Sequence, residues 1–397
     1  MQARLETIGD ESPQHLDRFG LLLMFAPCYR LVSARQEFVG FSGVVPLKAI
    51  SNSFRMKTFR LKPAIRGHSM EKKEDIMAVA RAFMRSRIIL TAAELDLFTI
   101  IQDSFSSAEK IAQKFGFDRR ALERVLDCLV TFGLLRKDQG AYSLTGEGAS
   151  YSSKHPASEL PMLLHMNRLW VGWSDLTELV KNDPGPDRKP PRPMDIDSRR
   201  AFIGAMHVIG RFLSEDIAGS LDLRGYRKLL DIGGGSGTYT ISFLRHNPHL
   251  KAILFDLKDV IPLASERLFS EGLLDRVELI AGDFYCDDLP GGCDLALLSA
   301  IIHQNSRQQN LELYRKAYRS LEPGGMLLIR DHIMDEQRTR PQEGALFAIN
   351  MLVNTQGGDT YTFDEVEGGL KEAGFTDVRL LRSGDRMDCI LGAVKPK

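Results

Sequence analysis

At roughly 150 residues per domain, a chain of 397 residues is expected to hold two or three domains. Hydrophobic residues make up 43% and charged residues 26%, a globular mix with enough apolar side chains for a core. Lys+Arg and Asp+Glu both number 52, so no overall field recruits nucleic acid or a membrane surface, and no apolar run approaches the roughly 18 residues of a membrane span.

Residues 1–69 differ from the rest. The apolar run at 21–26 is short and follows acidic residues, whereas a secretory signal needs bases there. Residues 30–66 carry eight bases against the single acid Glu37. The segment is read as a poorly ordered N-terminal extension, with a basic targeting stretch as the alternative. Cys28, Cys128, Cys286, Cys293 and Cys389 form no C-x-x-C pair, which suits buried thiols in a reducing cytoplasm.

From Glu71 the apolar spacing becomes helical. Leu95, Leu97, Phe98 and Ile101 can face a core, Ser106-x-x-Glu109 reads as a capping box, and Asp118 as the cap of a helix through Leu122, Val125, Leu126, Leu129 and Val130. Residues 134–137 and 141–144, joined by Gln139-Gly140, form a hairpin. Apart from that hairpin the region 70–182 is all-helical, and the order gives a winged helix. Arg119, Arg120 and Arg124 invite DNA binding, but Glu123 and Asp127 dilute them, so dimerisation and a roof over a substrate are the preferred roles. Residues 159–180 and 199–220 read as helices, and 183–200 as a linker whose stretch 183–193 has five prolines.

Beyond it strands and helices alternate, which predicts an α/β doubly wound, Rossmann-like parallel sheet over 201–397. Strands are expected at 228–232, 252–256, 277–281, 294–299, 326–332, 378–382 and 388–394. Helices are expected at 238–246, 260–271, 306–321 and 363–373, the last two opening on Asn305-x-x-Gln308 and Thr362-x-x-Glu365. The first strand runs into Asp231-Ile232-Gly233-Gly234-Gly235-Ser236-Gly237, a loop that lets the backbone turn sharply and a ligand approach closely. Its glycines do not fit the dinucleotide frame G-x-G-x-x-G/A, because Thr238 or Thr240 falls at the last position.

In such sheets ligands bind outside the carboxyl ends of the strands. There stand Asp256, placed for ribose hydroxyls; Asp283 and Phe284, placed for an adenine; and Ser299, with His303 four residues on and Asp331 on the next strand. Each has a plainer reading, as a loop cap, a core ring or a helix-closing histidine. The stripe of Met162, Met166, Trp170 and Trp173 reads either as core or as pocket. Asp331, His332, Asp335 and Glu336 suggest a metal, but alternation along a strand sends Asp331 and His332 to opposite faces, so none is expected.

With Leu230–Gly237, Phe255-Asp256-Leu257, Gly282-Asp283-Phe284, the His303 segment, Glu322-Pro323-Gly324-Gly325 and Ala373-Gly374-Phe375 in view, the chain from about Lys72 onward resembles the plant-type small-molecule O-methyltransferases and their bacterial relatives, the group with the caffeate, hydroxyneurosporene and acetylserotonin enzymes. The resemblance implies a class I S-adenosylmethionine (SAM) methyltransferase domain behind a winged-helix dimerisation domain, and a cytoplasmic homodimer. It implies SAM held by Asp231, Gly233, Gly235, Gly237, Asp256, Asp283, Phe284 and Ser299, with His303 as general base and Asp331 steadying it. Met162, Met166, Phe202 and Met206 are expected to line the acceptor pocket. The acceptor is a small molecule with a phenolic or enolic hydroxyl; transfer to nitrogen or carbon, or a SAM-sensing winged-helix transcription factor, are the alternatives. Asn305, Arg307, Ser299 and Thr360 depart from the family's usual residues near the histidine.

Overall fold

The computed structural model describes residues 75–103, 106–182 and 194–397; the readings made for residues 1–69 and for the proline-rich stretch 183–193 lie outside them. The chain divides into two compact units, Met1–Arg87 and Ile88–Lys397. In the first, the described residues are the opening turns of helix α1 (Ile76–Glu94), where Asp75 accepts a hydrogen bond from the Met77 N–H at 3.0 Å.

In the second unit, α1 ends on buried Leu90, Ala92 and Ala93 and is followed by α2 (Leu97–Gln102), β1 (Ser106–Ser107), α3 (Ala108–Phe115), α4 (Arg119–Thr131), β2 (Leu135–Asp138), β3 (Ala141–Leu144) and the short α5 (Gly146–Ala149). The predicted hairpin is therefore the wing of a three-stranded antiparallel sheet in the order β1-β3-β2. Positive φ at both Gln139 (43°) and Gly140 (81°) gives the tight turn that matches strand twist. Phe98, Leu126, Leu129 and Tyr142 fill the core between helices and wing. Asp118 caps α4 through the Ala121 N–H at 2.7 Å, as expected. The α3 cap differs from expectation: Ser107, one residue later than predicted, accepts from the Lys110 N–H. On α4, Arg124 and Arg119 pair with Asp127 and Glu109, and Lys137 of the wing also reaches Asp127.

Three helices follow, α6 (Leu160–Ser174), α7 (Leu176–Asn182) and α8 (Ile196–Ser220). Then come β4 (Lys228–Ile232), α9 (Thr238–His246), β5 (Lys251–Asp256), α10 (Ile261–Ser270), β6 (Val277–Ala281), β7 (Cys293–Ser299), α11 (Arg307–Ser320), β8 (Leu321–Asp331), β9 (Ile333–Met334), α12 (Gln342–Asn354), β10 (Tyr361–Thr362), α13 (Phe363–Glu372), β11 (Thr376–Arg382) and β12 (Cys389–Val394). The seven-stranded sheet runs β11-β12-β8-β7-β4-β5-β6. It is parallel except for β12, which is antiparallel to both its neighbours and closes the hairpin with β11. Strands β4 and β7 bury nearly every residue because helices cover both faces, which is why they read as continuous apolar runs. The chain goes from β4 outward through β5 to β6, then returns to the other side of β4 at β7. That reversal opens a crevice at the carboxyl ends of β4 and β7.

Two details depart from the sequence reading. Helix α11 is capped by Ser306 with Gln309, one residue later than the expected Asn305–Gln308 pair. Helix α12 has no sequence-based counterpart, because 345–353 is almost unbroken apolar sequence without a helical stripe and Pro341 supplies no cap. The thiols also differ from the expectation of burial: Cys293 and Cys389 are buried, but Cys128 is half-buried and Cys286 exposed.

Packing under the sheet's edge makes one demand on sequence. A Cβ on Gly282, just past β6, would stand 2.4 Å from Phe255 Cζ. Gly282→Ala is expected to destabilise the protein by about 1–3 kcal/mol through overpacking; urea denaturation of the two proteins checks this, and equal midpoints would show that the loop yields freely.

Candidate active site

The crevice begins with the loop after β4. Gly233, Gly235 and Gly237 have φ of 72°, 57° and 79°, the left-handed region closed to most side chains, and Gly237 then caps α9. A Cβ on Gly233 would come 2.8 Å from Ile301 Cδ1 and 3.4 Å from Phe284 Cε1, so this glycine lets the loop lie beside the walls of the crevice. Around Gly235 the nearest atom to such a Cβ is Ile203 Cδ1 at 3.8 Å, which leaves the loop's outer side open. Asp231 sits beneath the loop, 1% exposed, and its Oδ2 accepts the Thr240 hydroxyl at 2.6 Å. Through Oδ2 the carboxylate braces the loop to α9, while its buried Oδ1 has no hydrogen-bond partner.

Three strand ends bring the remaining groups together. Asp256 at the end of β5 accepts the Gly235 N–H on Oδ2 and the Leu257 N–H on Oδ1, both at 2.7 Å. Burial pushes its carboxyl above the usual carboxylate range, against these hydrogen bonds. Past β6, Asp283 Oδ1 accepts the Tyr285 N–H, and Phe284 packs its ring 4.6 Å from that of Tyr285. Lys316 of α11 fixes this loop with three hydrogen bonds, to the carbonyls of Phe284, Tyr285 and Asp287 at 2.8, 3.1 and 2.7 Å. At the end of β7, the buried Ser299 Oγ has no hydrogen-bond partner. The next residue, Ala300, has φ 58°, a strained value for a residue with a side chain.

His303 lies on a single 3-10 turn between β7 and α11 and is 8% exposed. Its Nδ1 stands 2.9 Å from both carboxylate oxygens of Asp331, the last residue of β8. Burial alone would raise the Asp331 carboxyl, but the charge and hydrogen bond of His303, with help from His332, hold it below the usual range. An ionised carboxylate only accepts, so Nδ1 carries the proton in this contact. The ring of Phe347 on α12 closes against His303 edge-on, with centroids 4.8 Å apart. His332 also packs on Phe347, at 5.2 Å, and its N–H donates to Asp331 Oδ1 at 2.8 Å. Strand β8 ends at Asp331, so His332 lies just past it. Among the described residues no three His, Cys, Asp or Glu side chains are grouped to hold a metal ion.

A helical layer bears on the same end. Helices α6 and α8 pack on each other, and Trp173 Nε1 of α6 donates to Asn350 of α12 at 3.0 Å, tying α6 to the helix that carries Phe347. Met162 and Met166 on α6 and Phe202 and Met206 on α8 are all half-buried, and Phe202 meets the His165 ring at 5.3 Å. Sequence reasoning missed Lys316, Tyr285 and Phe347, and weighed His332 only as a metal ligand. The first three lie on a helix or loop whose facing depends on partners distant in the chain. Asn305 spends its amide in structure, accepting the Tyr285 hydroxyl at 2.5 Å and donating to Asn310 at 2.9 Å.

The chain matches the O-methyltransferase domain over residues 192–376 and the O-methyltransferase dimerisation domain over residues 77–154. It is 32% identical over 312 residues to 3-hydroxy-5-methyl-1-naphthoate 3-O-methyltransferase of Streptomyces sahachiroi, spanning 77% of this chain and 90% of that protein. Acetylserotonin O-methyltransferase of Gallus gallus is 28% identical over 347 residues, 81% of this chain and 99% of that one. The crystal structure of human N-acetylserotonin methyltransferase in complex with SAM shares the fold with a TM-score of 0.68 at 23% identity, covering 83% of this chain and 100% of that one.

The buried Asp231 gives a test by pH. Burial first, and the charge of Asp256 after it, raise its pKa from 3.8 to about 6, against the Thr240 hydrogen bond. A raised carboxyl favours folding when protonated, so its contribution is complete below the unfolded pKa and is lost as pH rises through about 6. Asp231→Asn, which still accepts from Thr240, is expected to stabilise the ligand-free protein at pH 8 by on the order of 1 kcal/mol and to change little near pH 4. Urea denaturation at the two pH values checks this; a gain of equal size at both would remove ionisation as its cause.

Proposed function

The chain belongs to the SAM-dependent O-methyltransferases of small molecules, and from that premise we propose that it methylates a phenolic or enolic hydroxyl with His303 as general base. The observation that carries the reading is the pairing of His303 Nδ1 with both oxygens of buried Asp331, which leaves Nε2 as the basic atom. A neutral phenol is a weak nucleophile near pH 7. His303 Nε2 takes its proton as the oxygen attacks, and Asp331 keeps the ring in the correct tautomer and stabilises the imidazolium. When bound, S-adenosylmethionine supplies the electrophilic methyl group.

The residues present fit that cofactor. The open outer side of Gly235 leaves room that a Cβ there would reduce. In this assignment Gly233, Gly235 and Gly237 form the cradle and Asp256 takes the ribose hydroxyls, since a carboxylate that holds two backbone N–H groups still has lone pairs to accept more. Asp283 and Phe284 bond and stack the adenine, held in place by Lys316. Met162, Met166, Phe202 and Met206 enclose the acceptor from α6 and α8. The family match over 77–154 supports a homodimer, and the acid-paired bases of α4 support assembly rather than nucleic-acid binding at the winged helix. No helix among the described residues is long and apolar enough to cross a membrane.

Two variants separate chemistry from binding. His303→Ala is expected to lower kcat by about 10²–10⁴-fold while SAM affinity stays native; unchanged turnover on a phenol panel with labelled SAM would remove the base assignment. Asp256→Ala is expected to weaken SAM at least about ten-fold, the loss of one charge-assisted hydrogen-bond site, and native affinity by calorimetry would refute the ribose assignment.

A further inference from the structure

Besides Asp331, His303 leans on two further supports. Its backbone carbonyl accepts the Asp359 N–H at 2.9 Å, and Gly358 lies so close that a Cβ there would stand 2.4 Å from the same oxygen. The Phe347 ring closes on the imidazole edge-on. Phe347 and Asp359 belong to one excursion of the chain, which leaves after β9, runs through α12 and returns at β10. The contact with Asp331 is set by the sheet, whereas the other two depend on how this excursion is anchored. One anchor is the short parallel pairing of Ile333 with Tyr361 and Met334 with Thr362. The other is a single side chain, Arg338, in the turn that precedes α12.

Arg338 Nη1 donates to Asp359 Oδ2 at 3.0 Å and to the Thr360 carbonyl at 2.7 Å, and Nη2 donates to both oxygens of Glu365 at 2.5 and 2.6 Å. It thereby joins the outgoing arm of the excursion to the returning arm, at the very residue whose N–H holds His303, and to the first turn of α13. The backbone of Arg338 has φ 58°, a left-handed value that a residue with a side chain keeps only where its surroundings impose it. Asp335 imposes it by closing the turn: its Oδ1 accepts the Thr339 and Arg340 N–H groups at 2.8 and 3.0 Å. The Arg338 side chain is 34% exposed, and ion pairs at such sites add little to global stability. What a forked guanidinium supplies there is fixed geometry. From this placement we infer that Arg338 is a positioning residue for the general base: it holds the returning arm against the His303 carbonyl and so fixes the turn that carries the imidazole. The inference rests on the proposed reading of His303. In this account Arg338 moves no proton and binds no ligand.

The test uses full-length enzyme, labelled SAM and the phenol panel, with S-adenosylhomocysteine affinity read by calorimetry. Arg338→Gln, which loses the charge and the fork, is expected to lower kcat about ten- to hundred-fold, the effect of a slightly misplaced catalytic group, while S-adenosylhomocysteine affinity stays native. Arg338→Lys, which keeps the charge alone, is expected to recover part of the loss. In a His303→Ala background Arg338→Gln is expected to lower turnover no further, because no base is left to position. Hydrogen exchange gives a readout that needs no acceptor: the Asp359 amide is expected to exchange at least about ten-fold faster in Arg338→Gln, while the amides of β4 and β7 keep their native protection. Native kcat or native Asp359 exchange in Arg338→Gln overturns the inference. So does a loss that persists in the His303→Ala background, or one accompanied by loss of S-adenosylhomocysteine affinity, since either makes the role of Arg338 a general structural one. These outcomes leave the base reading intact. Native turnover in His303→Ala alone, or no turnover on any phenol despite native S-adenosylhomocysteine affinity, removes that reading and the inference with it.

Discussion

The site depends on one buried contact, that of His303 with Asp331. A carboxylate that is 1% exposed survives in its charged form only because a histidine donor and a backbone N–H satisfy it. The pair joins the turn after β7 to the end of β8, neighbouring strands whose ladder fixes their relative register. Its geometry is thus set by the sheet and not by the loop that carries the histidine. With Nδ1 committed to the acid, Nε2 is the ring nitrogen left outside that contact.

The cofactor side of the crevice is built on the same economy of buried polar groups. Asp231 Oδ2 accepts from Thr240, which ties the glycine loop to the start of α9, and Asp256 holds that loop from β5 through the Gly235 N–H. Each glycine with positive φ stands where a side chain would strain the turn. On the far side a single ammonium, Lys316, gathers three carbonyls of the loop that carries Asp283 and Phe284. Fixed dipoles and charges of this kind orient a ligand without reorganising when it binds, which is where such sites gain most of their effect.

The helical layer supplies what the sheet cannot. Phe347 covers both histidines from α12, and Trp173 connects that helix to α6, which in turn packs on α8. These helices lie on either side of the glycine loop in sequence. Asn305 is occupied in bridging Tyr285 to Asn310, and Arg307 is paired with Glu365 at the mouth of α13.

Local chemistry made much of this legible in advance. Strands β4, β5 and β7 announced themselves as short apolar runs, since a strand covered on both faces needs nothing else. The Thr362–Glu365 and Asp118 caps were readable because a helix start is satisfied by residues three apart in sequence. The glycine loop, Asp256, Asp283, Phe284, His303 and Asp331 followed from their places at strand ends. Strand order, the burial of Asp231, the convergence of His332 on His303, the capping residues at α3 and α11, and the whole of α12 were settled only in three dimensions. An uninterrupted apolar segment has no period to read, competing cap residues one position apart differ only by how the chain enters, and the neighbours of a side chain past the end of a strand are chosen by packing between segments that are far apart along the chain.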